Sequence, residues 1–150
     1  MKNFKDNFFE KGYITELPVI SRLKANSIFK EYEDFIKSGV DKALLIEHKT
    51  KSHLYFSWAN ELIYNNEILK HVEKIIGPNF FCWNSVIFHK HPNSTAFVSM
   101  HQDQNYWGII HDRALSVQLA ITNSKISNGC LRILPGSHKK NYSHEDLVIK

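Results

Sequence analysis

Gly77-Pro78 divides this chain into two parts of different character, and that break limits the folds open to it. Before it, apolar residues recur at helical spacing. After it, aromatic and β-branched residues gather in short runs separated by turns. A Gly-Pro pair ends a helix firmly, because glycine leaves the helical region easily and proline cannot continue the hydrogen-bond ladder. Helices first and strands second predict an α+β domain with a β sandwich or barrel.

In the first part, Phe4, Phe8, Phe9, Tyr13 and Ile14 surround Gly12. They predict a short helix turning into an extended piece. Over residues 17–37, Val19, Leu23, Ile28, Tyr32, Phe35 and Ile36 fall near one stripe, which predicts a helix stopped at Gly39. Residues 44–55 are mixed and give no assignment. Residues 56–76 read as a further helical region, with Trp58, Leu62, Leu69, Val72 and Ile76 as its apolar positions. Asn65-Asn66 interrupts it, with Asn66 expected to cap the second part.

In the second part, residues 80–90, 96–103, 114–122 and 130–134 read as strands. His91-Pro92-Asn93-Ser94 and residues 123–129 read as turns, and Pro135-Gly136 stops the last strand. Residues 1–150 are thus expected to form a single domain, with helices over about 1–76 and a β part over about 80–150. A hydrophobic fraction of 43% excludes a disordered chain. No apolar run approaches membrane-spanning length, and Met1-Lys2-Asn3-Phe4-Lys5-Asp6 holds no secretion signal. Cys82 and Cys130 sit in apolar surroundings and suit buried thiols in a reducing, cytoplasmic setting. The net charge of +4 comes from scattered lysines. It marks no nucleic-acid stripe and suits an anionic small molecule.

The chemistry concentrates in Ser99-Met100-His101-Gln102-Asp103-Gln104-Asn105-Tyr106-Trp107. Alternate side chains of a strand share a face, so His101 and Asp103 can reach one point in space. A 2-His-1-carboxylate face is the arrangement of non-haem Fe(II) oxygenases. This pair would supply one histidine and the carboxylate. The spacing alone is weak, since the alternative is a hydrogen-bonded pair at a strand end. His144-Glu145-Asp146 repeats the spacing in a charged run and reads as solvated surface. His89 and His91 also share a face, but Pro92 follows at once and they read as exposed histidines.

The ordered series of segments resembles the phytanoyl-CoA dioxygenase family of Fe(II)/2-oxoglutarate oxygenases over nearly the whole chain. It comprises Phe9-x-x-Gly12-Tyr13, Ile76-Gly77-Pro78-Asn79, Phe88-His89-Lys90-His91-Pro92, and His101-Gln102-Asp103 with Tyr106-Trp107. It continues with Leu119-Ala120-Ile121-Thr122, Asn128-Gly129-Cys130-Leu131 and Pro135-Gly136-Ser137-His138. The resemblance implies N-terminal helices packed on a double-stranded β-helix, or jelly roll. It implies Fe(II) held by His101 and Asp103, with 2-oxoglutarate as co-substrate, dioxygen as oxidant and a small organic substrate hydroxylated at C–H. Gln102 would lie in the cofactor-contacting segment. Lys90 would pair with a 2-oxoglutarate carboxylate, the alternative being a solvated lysine. Gln118 stands where the family often has Trp, beside the co-substrate, so a stacking surface is exchanged for an amide. Tyr106 and Trp107 would line the pocket or serve as core aromatics. His138 is a structural or rim residue by the same resemblance.

In the family, a second iron-binding His and an Arg for the far carboxylate lie well beyond the Pro-Gly-Ser-His turn. This chain carries 12 residues after His138 and ends on Leu147-Val148-Ile149-Lys150. The expectation is a jelly roll incomplete at the C-terminus, in a truncated chain that needs a missing C-terminal half or partner chain. Its apolar face would leave it unstable or aggregation-prone, with weak iron binding unless His111 or His138 completes the site. Two other readings stand beside the oxygenase: a non-catalytic remnant lacking the distal His and Arg, and a sugar-binding or cupin-like β module with a different metal.

Overall fold

Short polar side chains set where the helices begin. In the computed structural model, which describes residues 3–39, 49–95, 97–108 and 114–143, helix α1 spans Phe4–Lys11 and α2 spans Arg22–Lys37. The side-chain oxygen of Asn3 accepts from the Asp6 amide at 2.8 Å, and that of Ser21 from the Lys24 amide at 3.1 Å. Each satisfies one of the amides that a helix start leaves open. Helix α2 starts five residues later than its apolar stripe predicts. Pro18 disfavours helical geometry at Leu17, and Ser21 caps the first turn instead.

The predicted 56–76 helix is two helices, α3 at Ser57–Ile63 and α4 at Asn66–Ile76. Asn65, not Asn66, is the cap. Its Oδ1 accepts from the amides of Glu67 at 2.9 Å and Ile68 at 3.2 Å. Gly77, with φ 85°, closes α4 where the Gly-Pro break predicts it.

The core forms where α2 meets the entry to α3. Ile28 and Tyr32 are buried against Phe56, Trp58 and Ala59. Phe56 stacks on Trp58 with centroids 5.1 Å apart and meets Phe35 edge-on at 4.9 Å. Each such aliphatic or aromatic side chain contributes about 1.5–3 kcal/mol by leaving water. From beyond Gly77, Ile87 and Ile121 pack on this cluster. Ile87 arrives there through the one β-bridge among the described residues, Thr50 with Val86. Hydrogen bonds from Ile87 N to Lys49 O and from Ser52 N to Ser85 O flank it.

The expected jelly roll is not what the described residues form. They are mostly helical, and the segments 80–90, 97–103, 114–122 and 130–134 form no sheet. The β-prone composition of these segments reports a fit to a half-buried pleated surface, and it makes a strand only where a neighbour supplies the other side of the ladder. Here the side chains that should face a second sheet stand open: Phe81 is 78% exposed, Phe88 72% and Phe97 64%. Cys82 is likewise exposed and Cys130 half-buried, so neither is the buried thiol expected. No helix among the described residues is long and apolar enough to cross a membrane.

Helix α1 docks on α4. Phe4 stacks on the His71 ring at 5.3 Å, and Lys74 Nζ lies 5.3 Å from the Phe4 centroid. The other end of α1 receives the Pro135-Gly136-Ser137-His138 turn. Gly136 N donates to Lys11 O at 2.8 Å, His138 Nε2 to Phe9 O at 3.0 Å, and Gly12 N to Phe8 O at 2.6 Å. Two carbonyls of the last turn that the helix itself leaves open, those of Phe9 and Lys11, are thereby engaged by the turn, while the capping Gly12 takes that of Phe8. His138 thus joins the helix end as a structural residue, and its Nε2 is committed there.

Candidate metal site

His101 and Asp103 converge. His101 Nε2 and Asp103 Oδ1 stand 3.1 Å apart. Two donors bound side by side to one octahedral ion at about 2.1 Å lie about 3 Å apart, so the pair has the spacing of two adjacent ligands. The pair lies at the start of helix α5, Gln104–Trp107, which Asp103 immediately precedes in helical geometry. Their side chains are 30% and 49% exposed, open enough for an ion to enter.

Each ligand is held from behind. His101 Nδ1 donates to the Ser99 carbonyl at 2.8 Å. Nε2 faces the carboxylate oxygen: with a proton on Nε2 the contact is a hydrogen bond, and with that proton displaced by a metal ion the same nitrogen offers its lone pair. Ser116 Oγ donates to Asp103 Oδ2 at 2.8 Å, which leaves Oδ1 for the shared point. Tyr106 stands edge-on to the His101 ring, with centroids 5.5 Å apart and planes at 90°. Trp107 is half-buried. The sequence reading missed Ser99 and Ser116. Ser116 lies two residues before Gln118, on the same face of an extended chain, and that register was the available signal.

Gln102 points the other way. Its Nε2 donates to Ser137 O at 3.1 Å and Lys140 O at 2.8 Å, and its Oε1 accepts from Tyr142 N at 3.0 Å. Both amide hydrogens and the oxygen are engaged with residues 137–142. The Pro-Gly-Ser-His turn is therefore tied at one end to α1 and at the other to the residue between the two candidate ligands.

Lys90 and Gln118 are exposed, and no hydrogen bond or ion pair among the described residues joins either to the pair. Lys90 Nζ lies over Gly129. A Cβ at Gly129 would come within 2.6 Å of it, and the φ of 78° there also favours glycine. His89 and His91 stand with ring centroids 4.4 Å apart, and the Tyr32 ring meets His89 edge-on at 5.6 Å, so this histidine is packed on the core. His111 and the His144-Glu145-Asp146 run lie outside the described residues.

The donor set fits an iron ion at two positions. Among the described residues no third His, Cys, Asp or Glu joins the pair as a ligand.

Comparison with known proteins gives the family of the chain. The family model described as phytanoyl-CoA dioxygenase matches residues 20–149. A Stutzerimonas stutzeri protein named "Probable alpha-ketoglutarate-dependent hypophosphite dioxygenase" is 30% identical over 118 residues, 78% of this chain and 41% of that protein. Peroxisomal phytanoyl-CoA dioxygenase of Homo sapiens is 34% identical over 84 residues, 53% of this chain and 25% of that protein. The Bos taurus enzyme of the same name is 35% identical over 77 residues, 49% of this chain and 23% of that protein. The chain thus spans less than half the length of each of these relatives. No solved structure matches it.

Proposed function

The chain belongs to the phytanoyl-CoA dioxygenase family, and on that premise we propose that it supplies two iron ligands of a 2-oxoglutarate-dependent dioxygenase that hydroxylates a C–H bond of a small organic substrate. The observation that carries the proposal is the 3.1 Å approach of His101 Nε2 to Asp103 Oδ1, with both groups oriented by partners behind them. A positive charge belongs between two groups at that separation: a proton on Nε2 makes the contact a hydrogen bond, and a divalent ion bound by both takes the proton's place.

When bound, iron with 2-oxoglutarate and dioxygen supplies the oxidant that removes hydrogen from carbon and returns hydroxyl. The chain's own residues place and orient. Ser99 O fixes the His101 tautomer. The Asp103 carboxylate offers charge as well as an oxygen. Lys90, engaged by no carboxylate among the described residues, is the cation for a carboxylate of 2-oxoglutarate. The Gln118 amide offers hydrogen bonds where an indole would stack. Gln102 anchors the backbone between the ligands. The two relatives are named for different substrates, hypophosphite and phytanoyl-CoA. The co-substrate chemistry is therefore what carries over, and the substrate is not.

A second reading, a non-catalytic or partner-dependent remnant, is favoured by the two-ligand donor set. Succinate formation from 2-oxoglutarate with Fe(II), together with Fe(II) affinity, separates the two. Turnover that His101→Ala and Asp103→Ala each abolish supports the dioxygenase. Weak Fe(II) binding that both variants abolish, without succinate, supports the remnant. Fe(II) binding indifferent to both variants refutes the site.

A further inference from the structure

Resting on the metal reading of His101 and Asp103, we infer that Ser116 is a positioning residue that makes Asp103 a one-oxygen ligand. A carboxylate at the edge of a divalent ion can bind through one oxygen or both, and coordination geometry changes with the choice. At Asp103 the choice is made before any ion arrives. Ser116 Oγ donates to Oδ2 at 2.8 Å, while Oδ1 alone stands within reach of His101 Nε2. Turning the carboxylate to bind through both oxygens would break the hydroxyl bond. One oxygen per carboxylate keeps a further position on the ion open, and an oxygenase must fill such positions with co-substrate and dioxygen.

The contact also joins two segments 13 residues apart in sequence. Ser116 comes from segment 114–122 and Asp103 from the position that caps α5. Ser116 is exposed and lies outside the core cluster of Ile28, Tyr32, Phe56, Trp58 and Ala59, so replacing it leaves the packing of the helices untouched.

The test uses Co(II) alone as an oxygen-stable probe on the 150-residue chain. Affinity is read by titration, and binding mode by the splitting of the carboxylate stretches in the infrared with isotope-labelled Asp. Wild type gives the wide splitting of one-oxygen binding. S116A narrows it toward two-oxygen binding and weakens Co(II) about tenfold, the scale of lost outer hydrogen bonds at metal sites. S116T keeps a hydroxyl and restores both. If Co(II) leaves the Asp103 band of wild type unmoved, the metal reading of the pair falls and Ser116's role falls with it. If wild type binds and S116A keeps the wide splitting at equal affinity, Ser116's role alone falls. A loss in S116A that S116T does not restore also overturns it.

Discussion

His138 Nε2 donates to the carbonyl of Phe9 at 3.0 Å across 129 positions of sequence. The approach is possible because the residue under the imidazole is Gly12. A Cβ there would lie 2.3 Å from His138 Nδ1, and the φ of 85° is itself unfavourable to any side chain. Gly12→Ala should therefore destabilise the chain by about 1–2 kcal/mol from left-handed geometry alone, and more from expulsion of the ring. His138→Ala should cost about 1 kcal/mol, the worth of one hydrogen bond. The informative measurement is the double variant in urea. With the ring gone, Gly12→Ala keeps only its backbone cost, so the two effects should sum to less than their separate values. Strict additivity would mean that ring and helix end do not touch.

Gln102 makes a second link of this kind, from the ligand segment to residues 137–142. Gln102→Leu removes three hydrogen bonds and should cost about 2–3 kcal/mol locally. Gln102→Glu dissects them. It loses both donors to Ser137 O and Lys140 O but keeps an acceptor for Tyr142 N. Amide exchange at Tyr142 should be fast in Gln102→Leu and remain slow in Gln102→Glu. Equal exchange in both variants would show that the Tyr142 amide is protected by something other than this side chain.

These two links mark the boundary of what the chain's pattern discloses. Local regularities are visible in it. The stripe of Ile28 and Tyr32 is a helical period, and both are buried. His101 and Asp103 are near neighbours and need no distant partner to meet, but they meet where the chain turns into helical geometry at Asp103, not by the alternation of a strand. The Ser99 carbonyl behind His101 is nearly as local, yet backbone groups leave no mark in composition. Ser116, Gln102 and His138 act on residues 13 to 129 positions away, and nothing at short range announces them. The strand reading failed for a related reason. Phe81, Phe88, Phe97, Val98 and Leu131 have β character, but a ladder is a property of two segments, and these lack the second among the described residues. Only 85–87 finds a partner, near Thr50, where Ser52, His53 and Lys51 also bind Ser85 and Asn84.

The docking of α1 on α4 should depend on pH through His71. Its Nδ1 is buried without a hydrogen-bond partner among the described residues, and its ring stacks on Phe4. Burial disfavours the charged ring and holds its pKa below the ordinary 6.5, with Lys74 and Lys70 pushing the same way and Glu67 against them. In the folded chain the neutral form is therefore kept to lower pH than in the unfolded chain. Above about pH 6.5 both states are neutral and His71 costs nothing. As pH falls below that value the unfolded state takes up the proton first, so stability declines until the folded-state pKa is passed. His71→Phe preserves the stack and removes the titration. The urea midpoint of wild type should fall between pH 7.5 and 5.5 by more than that of His71→Phe, and the Phe4 ring resonances should shift over the same range only in wild type. Parallel pH profiles in the two proteins would place the acid sensitivity elsewhere, because the other histidines and carboxylates are common to both.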